Sequence, residues 1–180
     1  MKKSIKLILL LGLSITNMAW AVDVNIMIRG EIVIPPCKIN GNSPIDLSFG
    51  KIAGYKVDGQ NYALTKSVNV ECDYYEGTPY IKIGGGLLSG ASNNVLHVND
   101  MSSSGNNIGV LGIALYQGGS VNSSNPLVIG SGEQGEFGYK VKTGLSGRQF
   151  TFTAVPYKHG SAELVAGAFN ATATMNIYYL

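Results

Sequence analysis

The sequence predicts a single all-β domain, and three observations support this. Apolar residues alternate with a period of two along most of the chain, no long stretch shows a helical period, and Gly/Ser/Asn clusters separate the alternating runs. The chain has 24 Gly among 180 residues and only 13% charged residues, which excludes a coiled coil, a collagen-like chain and a charged disordered protein. Short strands joined by such loops favour a β-sandwich of immunoglobulin type.

The first 21 residues have the pattern of a secretory signal peptide. Lys2, Lys3 and Lys6 precede an apolar run, and Ala19-Trp20-Ala21 offers small residues where a signal peptidase reads them, so we expect cleavage after Ala21. The alternative is a membrane anchor, but the run is shorter than the roughly 18 apolar residues that a span requires. Without these three lysines the 13 basic residues become 10 against 11 acidic ones, so the net charge falls from +2 to −1. The basic excess therefore indicates no surface for nucleic acid or acidic lipid.

The predicted export also decides how the two cysteines are interpreted. Cys37 and Cys72 are the only cysteines of the chain, and two cysteines in an exported protein are expected to pair. Such a disulfide would stabilise the fold by roughly 3–4 kcal/mol on the chain-entropy model. The alternative, a reactive thiol beside a base, has no support because neither histidine is near in sequence.

The strands are predicted in chain order from their alternation and their breakers. The first alternating segment places Val24, Ile26, Ile28, Gly30 and Ile32 on one face and ends at two prolines, which cannot donate to a ladder. Further strands are predicted at residues 45–49, 68–72, 80–83, 108–116, 127–129, 150–154 and 171–179.

No catalytic, metal or cofactor site is predicted. His97 and His159 are far apart and fit neither a metal site nor a triad, so each is interpreted as a lone surface or loop residue. The glycine-rich segment 84–90 lacks the Gly-Lys-Ser/Thr end of a phosphate loop. Ser89 and Ser131 lack the strand–turn–helix context of a hydrolase nucleophile.

The two ends of the chain are the segments most informative about function. Residues 22–34 resemble a strand but lie outside the predicted disulfide loop, and the last strand runs to the C-terminus with no strand after it. Residues 22–34 could simply be the first strand of the domain's own sandwich. Alternatively, a sandwich whose final strand lacks a neighbour would expose an apolar groove and unpaired main-chain groups, which invite strand addition from another chain.

Over residues 22–180, the sequence resembles the pilins of chaperone–usher pili. The resemblance rests on a set of features that occur in the expected order along the chain. Two of them are fixed by their distance from the C-terminus: Tyr179 is the penultimate residue and Gly167 is the fourteenth from the end. The full set is the segment Ile26–Ile32 with Gly30, Cys37 with Cys72, Leu47-Ser48-Phe49-Gly50, Leu111–Tyr116, Gly167–Thr174 and Tyr179. Within the family, Ile28-Arg29-Gly30, Ile34-Pro35-Pro36-Cys37 and Gly112–Gln117 look most like adaptor subunits in the tip fibrillum of P pili.

The resemblance implies an incomplete immunoglobulin-like sandwich that lacks its last strand. It implies a periplasmic chaperone that lends a strand, an outer-membrane usher, and neighbouring pilins, including the tip adhesin, joined by donor-strand exchange. Val24, Ile26, Ile28, Gly30 and Ile32 would be the donor residues, with Arg29 and Glu31 facing outward. The acceptor groove and chaperone contact would involve six residues, the last through its carboxylate: Gly167, Ala173, Met175, Ile177, Tyr179 and Leu180.

The implied organisation is a signal peptide (1–21), a donor-strand extension (22–36) and a pilin domain (37–180). The implied protein is a structural minor pilin that joins the tip adhesin to the tip fibrillum at the cell surface. It is not an enzyme and has no nucleic-acid partner, no small-molecule substrate and no cofactor. Two alternatives stay open: another fibrillum, rod or terminator pilin, and a secreted carbohydrate-binding domain.

Overall fold

The computed structural model describes residues 24–33, 36–73, 77–100, 107–130, 138–144 and 147–179. The predicted signal peptide and Leu180 lie outside the described residues. Chain contacts divide the molecule into a unit up to Val33 and a unit from Ile34 onward, each of which is described by itself. In the described part of the chain, no helix is long and apolar enough to cross a membrane.

The described part of the second unit is built from strands, turns and two short 3-10 segments, Asn40–Asn42 and Gly54–Lys56. It contains eleven strands: β1 (Lys38–Ile39), β2 (Leu64–Glu71), β3 (Pro79–Gly85), β4 (Val95–His97), β5 (Asn99–Asp100), β6 (Leu111–Gln117), β7 (Tyr139–Lys140), β8 (Lys142–Gly144), β9 (Gly147–Lys158), β10 (Phe169–Asn170) and β11 (Ala173–Tyr179).

Three antiparallel groups of strands enclose the core. The larger sheet has the order β1-β2-β9-β6-β4, with β8 also paired to β9. The smaller sheet has the order β11-β3-β7, and β10 pairs with β5. The all-β prediction is therefore confirmed, since strands account for the regular structure of the described residues.

The period-two pattern explains which side chains enter the core. On β6, Ile113 and Leu115 belong to the main core, whereas Ala114 points the other way, into a second small cluster with Val155 of β9. The main core draws on both sheets: Val68, Val70, Ile81, Ile83, Leu96, Leu111, Ile113, Leu115, Phe150, Phe152 and Ala154.

Four predicted strands differ from the observed ones, and to two of them, residues 24–33 and 45–49, no strand is assigned. The strand expected from residue 108 begins only at Leu111, because Asn107 accepts hydrogen bonds from the backbone N–H groups of Val110 and Leu111 and so forms a turn. The strand expected at residues 127–129 is instead an extended link: Pro126 bridges to Tyr116, and Ile129 forms an isolated parallel bridge with Ile83. The side chains of Leu127 and Ile129 in this link are nevertheless fully buried.

The half-buried Tyr139 fastens this link to the smaller sheet. Its hydroxyl accepts a hydrogen bond from the Val128 N–H at 2.6 Å and donates one to the Pro126 carbonyl at 3.0 Å. Burial raises the pKa of the Tyr139 phenol. The neutral, donating form of the hydroxyl is the one that the second hydrogen bond requires.

Gly112 allows β4 and β6 to approach closely. It pairs with His97, and a Cβ at this position would lie 2.6 Å from Val95 Cγ1 and 2.8 Å from the Leu96 carbonyl oxygen. We expect Gly112→Ala to destabilise the fold by about 1–3 kcal/mol, because backbone atoms cannot yield as a flexible side chain would. The urea midpoint of the purified protein measures this. Gly119→Ala is the matched control, since its Cβ would meet only Thr65 Cγ2 at 4.0 Å, and an equal loss in both variants would contradict the packing argument.

Candidate functional site: an open apolar groove

A large apolar cavity opens along one side of the second unit. Its volume is about 1670 Å³, and its floor consists of core residues from both sheets, including Ile83, Leu111, Leu115 and Phe152. This cavity, which we call the groove, therefore borders the main hydrophobic core directly. Among the described lining residues, Asp46 and Lys51 are the only charged ones, and both side chains are exposed.

One wall of the groove is an extended segment, residues 43–50, which we call the first wall. Ile45, Leu47 and Phe49 are half-buried and line the groove, whereas the residues between them are exposed. This is the alternation of a strand, yet residues 45–52 form no main-chain hydrogen bonds within the described part of the chain. The first wall therefore has the shape of a sheet strand without the neighbour that would satisfy its backbone groups.

A left-handed turn sets the direction of the first wall. Asn40, Gly41 and Asn42 have φ angles of 51°, 58° and 61°, a region that Gly and Asn tolerate better than other residues. The Asn40 side-chain amide donates to the carbonyl oxygens of Ser43 and Pro44 at 3.1 and 3.2 Å. The turn thus fixes the chain where the first wall begins.

The disulfide fastens the chain just before this turn. Cys37 is bonded to Cys72, with their Cα atoms 4.3 Å apart, as the sequence predicted. The following residues of β1 pair with the end of β2 in the register Lys38↔Glu71 and Ile39↔Val70. A covalent link and a short ladder therefore tie the base of the first wall to the larger sheet.

The opposite wall of the groove is β11. It pairs with β3 along its whole length, from Ala173↔Gly85 to Tyr179↔Pro79, and is the edge strand of its sheet as described. Met175 and Ile177 are half-buried and line the groove together with Ala173. The edge of β11 away from β3 offers a row of main-chain groups for another strand.

Four of the six predicted groove residues line the groove: Gly167, Ala173, Met175 and Ile177. Tyr179 is the last residue of β11, but its side chain and all of Leu180 lie outside the described part. The sequence pattern did not indicate that the first wall belongs to the site. The signal was present in the alternation of Ile45, Leu47 and Phe49, but nothing local shows that this strand lacks a partner.

The first unit, as far as it is described, is an exposed apolar segment. No strand is assigned to residues 24–33. Ile26, Ile28 and Ile32 have 84%, 90% and 98% of their surface exposed, and Val24 is exposed as well. A Cβ built on Gly30 would have no heavy atom within 4 Å. These side chains stabilise nothing within the segment itself and are free to be buried elsewhere.

The two histidines have different neighbours in the described structure. His97 packs over Gly86, whereas His159 lies beside Gly90 and the Tyr157 ring. In the ranges that the structure describes, no cluster of three or more His, Cys, Asp or Glu residues could hold a metal ion. The arrangement can instead accept one extended apolar strand.

Comparisons with known proteins agree with this geometry. The family model described as "Fimbrial protein" matches residues 26–180. The chain is 38% identical over 175 residues to the fimbrial adapter PapF of Escherichia coli, covering 97% of this chain and 99% of PapF. It is 40% identical over 177 residues to the minor fimbrial protein PrsF of Escherichia coli, with the same coverage. A solved structure of the P pilus adaptor subunit PapF superposes with a TM-score of 0.59 at 34% identity, covering 82% of this chain and 98% of that one.

Proposed function

Since the chain belongs to the fimbrial protein family, we propose that it is the adaptor pilin that joins the tip adhesin to the tip fibrillum. It is a minor pilin of a chaperone–usher pilus, exported to the cell surface, and its partners are a periplasmic chaperone, an outer-membrane usher and neighbouring pilins. The family consists of structural pilins, and we propose that this member likewise carries no enzymatic activity.

One observation carries the proposal: the chain combines an open apolar groove with an exposed apolar segment. The groove is lined by the first wall and by β11, and residues 24–33 carry exposed apolar side chains on alternate positions. In the proposed joint this extension completes the groove of the tip-ward neighbour, while the groove of this chain receives the extension of the next subunit.

The proposed donor residues have the right chemistry for this role. Ile26, Ile28 and Ile32 would fill pockets of the neighbour's groove, with Val24 as a further contact and Gly30 where no side chain fits. Burying each exposed Ile contributes on the order of 1.5–3 kcal/mol, so several together hold a non-covalent joint firmly.

The adaptor position is tested by isolating assembled pilus tips and cross-linking them. We expect a cross-linker on residue 31 of this chain to reach the adhesin's pilin domain, and a cross-linker on Asp46, at the groove, to reach a fibrillum subunit. Tips in which both positions reach only copies of a rod pilin would favour the rod or terminator alternatives. Recovery of the chain as a free secreted protein would favour the carbohydrate-binding alternative.

A further inference from the structure

One end of the groove is bounded by residues 164–168, which we call the strap. These residues follow β9, precede β10 and line the groove throughout. They form no helix or strand. Within the described part of the chain, residues 163–168 make hydrogen bonds only through Val165, so the strap has almost no polar anchoring of its own.

The side chain of Asn107 provides that anchoring. Its Nδ2 group donates to the Val165 carbonyl oxygen at 2.8 Å, and its Oδ1 accepts from the Val165 N–H at 2.9 Å. The amide therefore pairs with both main-chain groups of one residue, as a neighbouring strand would. Asn107 is only 3% exposed and itself lines the groove. Hydrogen bonds formed in such a site are strong, and leaving the groups unpaired is costly.

Two apolar contacts flank this amide pair. Next to the strap, the ring of Phe169 in β10 lies 6.4 Å from the ring of Phe49, which belongs to the first wall. On the far side, a Cβ built on Gly54 would lie 3.6 Å from Leu164 Cβ. The strap thus adjoins the Gly54 turn at Leu164, and Asn107 holds it in position at Val165.

We propose that Asn107 is a positioning residue for strand exchange: it holds the strap as a wall and keeps the adjoining end of the groove open for one end of the donor strand. An apolar groove without its donor favours collapse, because moving the strap inward would bury apolar surface. The strap's main chain has no ladder to resist this movement, whereas the two hydrogen bonds to Asn107 do. This inference rests on the proposed function of the groove as an acceptor.

The test uses the full-length subunit in complex with its chaperone. A panel of synthetic peptides copies the N-terminal extensions of the pilins encoded with this chain, and release of the chaperone reports exchange. We expect Asn107→Ala to slow exchange about tenfold, the size expected from losing two buried hydrogen bonds. Asn107→Leu, which keeps nearly the same side-chain size but loses both hydrogen bonds, should slow exchange to a similar extent.

A second readout separates positioning from general destabilisation. Each apolar residue of the best donor peptide is replaced by Ala in turn. In the wild-type subunit every replacement should slow exchange, whereas in Asn107→Ala the replacement at the strap end should add nothing and the others should act as before. Uniform slowing by all replacements, or wild-type rates in Asn107→Ala, would overturn the proposal. If no peptide displaced the chaperone from the wild-type subunit, the acceptor function itself would be refuted.

Glu163→Ala serves as the matched control. Glu163 precedes the strap, is exposed and is not among the residues that line the groove. We expect this variant to exchange at the wild-type rate. Slowing equal to that of Asn107→Ala would assign the effect to a general disturbance of this loop rather than to the amide pair and would overturn the proposal.

Discussion

Removal of residues 174–180 should abolish the complex with the chaperone. The deletion takes away nearly all of β11, the strand that pairs with β3 from Ala173↔Gly85 to Tyr179↔Pro79. Ile81 and Ile83 of β3 are buried in the described structure and would lose the strand that pairs with β3. The groove would also lose one wall. We expect no recoverable chaperone complex in periplasmic extracts, and degradation of the truncated chain.

Two point substitutions on the same strand make this prediction specific. Ile177 is half-buried and lines the groove, so Ile177→Asp should strongly reduce the yield of the complex, because an unpaired charge would enter an apolar site. Tyr178 points outward beneath Lys82 and is 47% exposed, so Tyr178→Ala should leave the yield nearly unchanged. If the truncated subunit co-purified with the chaperone at wild-type yield, the assignment of β11 to the groove would be wrong.

Deletion of residues 22–34 should leave the chaperone-bound subunit folded but unable to dock into the tip-ward neighbour. The exposed Ile26, Ile28 and Ile32 would be buried only in that neighbour's groove, so their loss removes the joint and not the subunit's own core. An exchange assay with the adhesin's pilin domain should show no joint for the deletion. If the segment were instead an intrinsic strand of this sandwich, the deletion variant would be unstable even with the chaperone.

Gly30→Asn tests the same joint with one residue. In this subunit a Cβ at position 30 meets nothing within 4 Å, so the chaperone complex should form normally. In the neighbour's groove the added side chain should cost on the order of 1–3 kcal/mol through overpacking, which corresponds to roughly 5- to 140-fold slower exchange. Arg29→Asn places the same side chain on the opposite face of the extended segment and should exchange normally. Normal exchange by Gly30→Asn would count directly against the donor role.

The sequence alone determined which side chains of several strands turn toward the core, because side-chain alternation is a local property. Val68 and Val70, Phe150 and Phe152, and Met175 and Ile177 each lie on the face that their spacing predicts. The pairing of Cys37 with Cys72 could also be inferred, since the chain offers no other cysteine. The resemblance to pilins then followed from the order of these features along the chain.

Only the tertiary structure decided which strands lack partners. Hydrogen bonding between strands is non-local, so the alternation of Ile45, Leu47 and Phe49 could not reveal that no strand among the described residues pairs with them along the groove. Nor could the sequence connect Asn107 with Val165, 58 residues later, since an Asn beside Gly and Ser residues indicates an ordinary loop. Each strand's own residues set its side-chain alternation. The groove, in contrast, depends on which strands the whole fold places beside one another.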